Sequence, residues 1–179
     1  MLHRIFLVCL GLSVAGSALS CRWMDHKFKQ ISEESLDLLE MMAHNSTNST
    51  EDVEVSFPND LYNQTSQASA EDKLAFTVQV LEEVVLLFEE DHSAASWEER
   101  RLEDFRNIVS RQADGLRSCI VSDGHKKKNK KLHMYFKRLS RHLLHQLGYT
   151  ADSWELIRKE IQNHLMRSHL LLSSLLKNI

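Results

Sequence analysis

The chain has 179 residues, with 22 Lys and Arg against 25 Asp and Glu and a formal charge of −3 at pH 7. This mildly acidic balance argues against a nucleic-acid binder, and the length suits one domain with a full core. Five Gly and one Pro are too few turn residues for a many-stranded sheet. Neither G-x-x-x-x-G-K nor G-x-G-x-x-G can be written from them, so an all-α fold without a phosphate-cradling loop is expected.

The first 20 residues have the three parts of an export signal. His3 and Arg4 form a short basic start, an apolar run extends from Ile5 to Ala15, and small residues stand at Ala18 and Ser20. A membrane anchor is the alternative, but roughly 11 apolar residues fall short of the ~20 that span a bilayer. A bacterial lipoprotein would also begin at a Cys, yet Ala18 replaces the leucine of that cleavage motif. Cleavage after Ser20 divides the chain into a signal peptide, 1–20, and one extracellular domain, 21–179. Removing Arg4 and no acid takes the charge from −3 to −4. Cys9 leaves with the signal, so Cys21 and Cys119 are the only thiols of the exported chain. In an oxidising compartment they have no other intramolecular partner, the alternative being two free thiols.

Between Cys21 and Ala43, Phe28, Ile31, Leu38, Leu39 and Met42 recur with the helical period, apart from Lys27, Lys29, Glu33, Glu34 and Asp37. A polar stretch, His44–Gln67, follows as a long overhand connection with the sole proline, Pro58. It holds three glycosylation sequons, at Asn45, Asn48 and Asn63; the first two are close enough to hinder one another.

The second helix opens at Ser69 and carries Leu74, Val78, Leu81, Val85 and Phe88. Its other face has Glu82, Glu83, Glu89 and Glu90, read as solvated surface, with an acidic contact patch as the alternative. Ser96-Trp97-Glu98-Glu99 fits a capping box for the third helix, whose stripe Leu102, Phe105, Val109, Gln112, Leu116 places Cys119 facing inward. The basic run Lys126–Lys131 reads as a solvated loop and helix start, with weak binding to sulfated glycans as the alternative. Export argues against a nuclear signal.

The fourth helix continues through Leu132, Phe136, Leu139, Leu143 and Leu147 to a stop at Gly148. Asp152 and Glu155 can cap the fifth, whose apolar face is Leu156, Ile157, Ile161, Leu165, Leu172, Leu175 and Leu176. Its polar face is Arg158, Lys159, Gln162, Asn163 and Arg167. The leucine-rich stretch Leu170–Leu176 is too short to insert in a membrane.

No catalytic, metal or cofactor chemistry is legible. Glu89-x-x-His92 has the spacing of carboxylate-bridged bundles, but no second copy exists, and His142-x-x-His145 lacks the geometry and the Glu of a zinc protease. No nucleophile adjoins a base along the chain. Secretion, long helices, long connections and one disulfide describe a binding protein of the helical cytokine class.

Tyr135-Phe136-Lys137-Arg138-Leu139, followed by Tyr149 through Ile161 with Trp154 and Glu155-Leu156-Ile157-Arg158, resembles the type I interferon signature. Phe57-Pro58, Ser93-Ala94-Ala95-Ser96-Trp97-Glu98 and the places of Cys21 and Cys119 extend the likeness over nearly all of residues 21–179. Where many members have a second cysteine, two residues before the signature Trp, this chain has Asp152. It thus resembles the two-cysteine group of bony-fish type I interferons.

The resemblance implies a five-helix, up-up-down-down cytokine bundle with long crossover loops, no enzymatic activity and no cofactor. It also implies a monomeric ligand that bridges two different class II cytokine receptor chains, activating JAK–STAT signalling and antiviral genes. One receptor chain would meet the first helix, the first long loop and the fifth helix; the other would meet helices two, three and four. Arg158 matches a receptor-facing position of the family, with Lys159 and Gln162 as neighbours. A cytokine of the interleukin-10-like sort would lack the Trp154 signature, and a secreted helical metal carrier or enzyme would show bound metal or turnover.

Overall fold

The computed structural model describes residues 21–43, 55–121 and 127–176. Residues 1–20, read above as an export signal, and Asn45, Asn48 and Lys126 lie outside the described residues. Within them run six α-helices and no strand. The first is α1 (Lys29–Met41), entered through one π-helical turn, Met24–Phe28, that buries Met24 and Phe28.

The expected loop contains a helix, α2 (Asn59–Ser66). It buries Leu61 and Tyr62, and Pro58 stands at its N-cap, where a missing N–H costs no helical bond. One anchoring pair is too little apolar periodicity to stand out in a polar stretch.

Ser69 caps α3 (Ala70–Leu87) as expected, its Oγ accepting from the Asp72 N–H at 3.1 Å. The expected capping box at Ser96 does not form. A 3-10 turn, Ser93–Ala95, ends in Ser96 at φ 56°, and α4 (Glu99–Arg117) starts with no side-chain cap bond. Trp97 is drawn against Phe88 and Trp154, with ring centroids 5.5 and 5.4 Å away, which bends the chain out of capping geometry.

Asn129 caps α5 (Lys130–Leu139) through the Leu132 N–H, and its own N–H and C=O pair with the Gln79 amide at 2.7 and 3.0 Å. This exchange fixes the start of α5 on α3. A π-helical turn, Ser140–His145, extends α5, and the chain reverses at Gly148 (φ 78°) and Tyr149 (φ 58°). The last helix, α6 (Ala151–Leu176), is capped by Thr150, whose Oγ1 accepts from the Ser153 N–H at 3.2 Å. Asp152, the expected cap, is instead exposed in the first turn, where its charge suits the helix dipole.

Helix α3 packs on α4, α6 and α5, while α1 packs on α4 and α6. Trp154, Phe88 and Phe105, each essentially inaccessible, form the aromatic centre with Trp97 at its edge. The Trp154 indole N–H donates to the Asp91 carbonyl at 3.1 Å, joining the start of α6 to the chain leaving α3.

A disulfide joins Cys21 to Cys119, with Cα atoms 5.5 Å apart across 98 positions of sequence. Beside it the Trp23 indole lies on Gly115, where an added Cβ would stand 1.9 Å from Trp23 Cε2. The absent side chain lets the entry segment lie flat on α4. Closing so long a loop restricts the unfolded chain, so Cys119→Ser should leave a helical bundle that is less stable by about 2–5 kcal/mol. Equal melting temperatures for the variant and the parent chain would refute that role.

Candidate functional site

The side of the bundle built from α1, α2 and α6 has the features of a contact surface. On α6, Lys159, Asn163, Met166 and Leu170 are all exposed, at i, i+4, i+7 and i+11. This spacing keeps them on one ridge of the helix. Met166 and Leu170 are 42% and 65% exposed, two large apolar side chains one turn apart and turned away from the core. Their signal in the sequence is phase, since both fall outside the Ile157, Ile161, Leu165, Leu172 stripe.

On one flank of this ridge α6 is tied to α1. Ser32 Oγ and His169 Nδ1 are 2.9 Å apart, and the Phe28 ring stacks on His169 at 5.6 Å. Arg158 belongs to this seam. Its Nη2 and Nε donate to the two carboxylate oxygens of Glu155 at 2.7 and 2.9 Å, and Nη1 reaches the Leu39 carbonyl at 3.4 Å. Both side chains of the pair are almost wholly enclosed.

Arg158 was expected on the receptor-facing surface, and the structure places it inside instead. A Glu one turn back satisfies the guanidinium fork, which lets the charge be enclosed between two helices. Of its expected neighbours, Lys159 is exposed and Gln162 half-buried, its Oε1 3.4 Å from Arg158 Nη1.

On the other flank are α2 and α5. The Tyr62 hydroxyl and His164 Nδ1 are hydrogen-bonded at 2.8 Å, and the Arg167 guanidinium lies 5.5 Å above the Tyr62 ring. Asn63 is exposed here, lining a shallow groove of about 390 Å³ with Lys73, Arg167 and Leu170. Its sequon is therefore helical, with Thr65 Oγ1 donating to the Leu61 carbonyl at 2.8 Å.

The signature residues Tyr135, Phe136 and Trp154 all point inward. The Tyr135 hydroxyl donates to the Glu160 carboxylate, linking α5 to α6. Burial, followed by that bond, pushes the Tyr135 phenol well above its usual range. The rings of Phe57, Tyr62, Tyr135 and Phe136 stand 4.6 to 5.8 Å from that of His164. Enclosure in this apolar cage lowers the His164 pKa from 6.5 to about 3, because the cage cannot solvate an imidazolium.

Of the four acids along and just beyond α3, Glu83 departs from the reading as solvated surface, while Glu89 is exposed as that reading expects. Glu83 is buried, 2.9 Å from His133 Nδ1, and Glu90 accepts from Ser140 and Tyr149 at 2.6 and 2.7 Å. Glu82 meets Arg117 at 2.5 Å. Glu89 turns to Arg106 at 3.5 Å while the His92 Nε2 turns to Glu99 at 3.6 Å, so these two do not share a site. Among the described residues no cluster of three or more His, Cys, Asp or Glu could hold a metal ion, and no helix is long and apolar enough to cross a membrane.

The model of the interferon alpha/beta domain matches residues 24–175. Interferon a3 of Oncorhynchus mykiss is 36% identical over 151 residues, covering 84% of each chain. Interferon type B of Gallus gallus is 23% identical over 171 residues, 90% of this chain and 82% of that one. The solved structure of zebrafish interferon 1 superposes with a TM-score of 0.74 at 28% identity, covering 87% of this chain and 99% of that one.

Two outcomes test the enclosed groups. Arg158→Ala strands the Glu155 charge and should cost about 3–5 kcal/mol in chemical denaturation, while the double variant with Glu155→Ala should recover much of that loss. Additive losses would refute the coupling. For His164, the folded pKa lies below the unfolded one, so the unfolded chain binds the extra proton. The stability from the neutral ring is then complete above pH 6.5 and is lost as pH falls toward about 3. Its share of the acid loss is on the order of 1 kcal/mol per pH unit. His164→Gln, which keeps a hydrogen-bonding partner for Tyr62, should show a flatter decline in urea midpoint between neutral pH and that limit; an unchanged slope would refute the assignment.

Proposed function

This chain belongs to the interferon alpha/beta family, and from that premise we propose that it is a secreted antiviral ligand which brings two different receptor chains together. The family is one of helical cytokines, not of enzymes. Residues 1–20 direct export and are removed, 21–179 form the one signalling domain, and Asn63 carries a glycan at the edge of the α2–α6 groove. The single disulfide and Asp152 support reading it as a member of the two-cysteine group of type I interferons.

The first receptor chain docks across α1, the segment leading to α3, and α6. The second meets α3, α4 and α5. Juxtaposing the receptors' intracellular segments activates their bound kinases and, through JAK–STAT signalling, antiviral genes. The observation that carries this reading is the α6 ridge, where exposed Met166 and Leu170 adjoin Lys159 and Asn163. An apolar centre with a polar rim is the composition of a protein contact. Lys159 and Gln162 contribute to the rim, and Arg158 acts as a positioning residue that holds α6 against α1.

Folded protein added to cells of the same species should induce antiviral genes. Met166→Asp combined with Lys159→Glu should weaken binding of the first receptor chain by tenfold or more, a loss of about 1.4 kcal/mol, without changing the helical circular dichroism. Silence from the folded parent chain would overturn the reading, and unaltered affinity of the variant would move the contact elsewhere.

A further inference from the structure

The basic run at the start of α5 is the end of a longer feature. Lys127, just before α5, and Lys130, Lys131, Lys137, Arg138 and Arg141, along α5 and the first residues of its π-helical extension, are all exposed. The spacing of Lys130, Lys137 and Arg141 keeps them on one helical face, with Lys131 and Arg138 beside them. From Lys130 to Arg141 this ridge runs about 16 Å at the helical rise.

The ridge carries no acid of its own, and none of these six cations has a carboxylate within ion-pair distance among the described residues. Lys128 differs, standing 3.9 Å from Glu82. The acids in the groove on the α3 flank are turned to other partners: Glu83 to His133, Glu90 to Ser140 and Tyr149. On the α2 flank, Asp60 shares a groove with Lys130 and Lys131. Six like charges held side by side repel one another and are eased by a partner that supplies many anions in a row.

We propose that this α5 ridge is a binding site for a linear sulfated polysaccharide of the glycosaminoglycan class. Sulfate groups match Lys and Arg as charge-assisted acceptors, and the long, narrow, convex form of the ridge suits an extended chain. A lipid surface fits less well: Met134 is the one large apolar side chain exposed on α5, and interfacial helices need a wide apolar face. Single-stranded nucleic acid requires stacking platforms, and no exposed aromatic ring lies on α5. The proposal stands apart from the receptor reading, since it requires no signalling.

The test uses the full exported chain on immobilised heparin, with a Lys130→Gln, Lys137→Gln, Arg141→Gln triple variant and a Lys27→Gln, Lys29→Gln control on the entry turn and start of α1. The parent chain should bind at a physiological ionic strength of about 0.15 M and be released as salt rises. The triple variant should bind at least about tenfold more weakly with unchanged circular dichroism, and the control should bind like the parent. Failure of the parent to bind at that salt, equal binding by the triple variant, or an equal loss in the control would each overturn the site. Equal or tighter binding to vesicles of phosphatidylserine and phosphatidylcholine would overturn the polysaccharide assignment in favour of a lipid surface.

Discussion

Everything in this bundle depends on burying α6. Ile157, Ile161, Leu165 and Leu172 on its core face are inaccessible or nearly so. They supply the apolar surface on which α1 and α3 pack, worth roughly 1.5–3 kcal/mol for each fully buried side chain before conformational entropy is set against it. Trp154, at the start of the same helix, sets the depth of insertion. Its ring packs against both Phe88 and Trp97, and its N–H finds an acceptor only if the chain leaving α3 passes at Asp91. A helix held at its start by an indole and along its length by branched side chains has little freedom to slide.

Polar groups set the register of the other helices. Each enclosed pair joins different elements: Gln79 with Asn129 for α3 and α5, Tyr135 with Glu160 for α5 and α6, Tyr62 with His164 for α2 and α6, and Arg158 with the Leu39 carbonyl for α6 and α1. Apolar contact alone tolerates small displacements of a helix along its axis. A buried donor aimed at one acceptor does not, because a shift leaves both unsatisfied. Polar contacts therefore specify where the apolar ones only attract.

The helical stripes were legible because apolar spacing reports burial directly, and the partner of Cys21 was legible because Cys119 is the one other cysteine after residue 20. Less visible were features decided by tertiary contact. Ser96 has the residue type of a cap, yet Trp97 is drawn into the aromatic centre and the cap is lost. Arg158 has the residue type of a surface contact, yet Glu155 one turn away allows it to be enclosed. Glu83 looked solvated until α5 brought His133 to it. In each case the residue's local preference is outweighed by a partner from another part of the bundle, or by a nearby charge whose burial only the folded seam reveals. The α6 ridge was half legible, with Lys159 and Asn163 seen as polar and Met166 and Leu170 masked by their apolar type.

The seams of α6 also divide charge across the molecule. Arg158 and His169 face α1, whose exposed residues include Glu33, Glu34, Asp37 and Glu40, whereas Glu160 and His164 face α5, with its row of cations. The exposed ridge of α6 thus has an acidic shoulder on one side and a basic shoulder on the other. A protein seated there meets opposite signs to its left and right, and turning it by half a revolution would set like charges against each other. The apolar residues of the ridge are indifferent to that rotation, so the orientation of any complex formed on this face is decided by its shoulders.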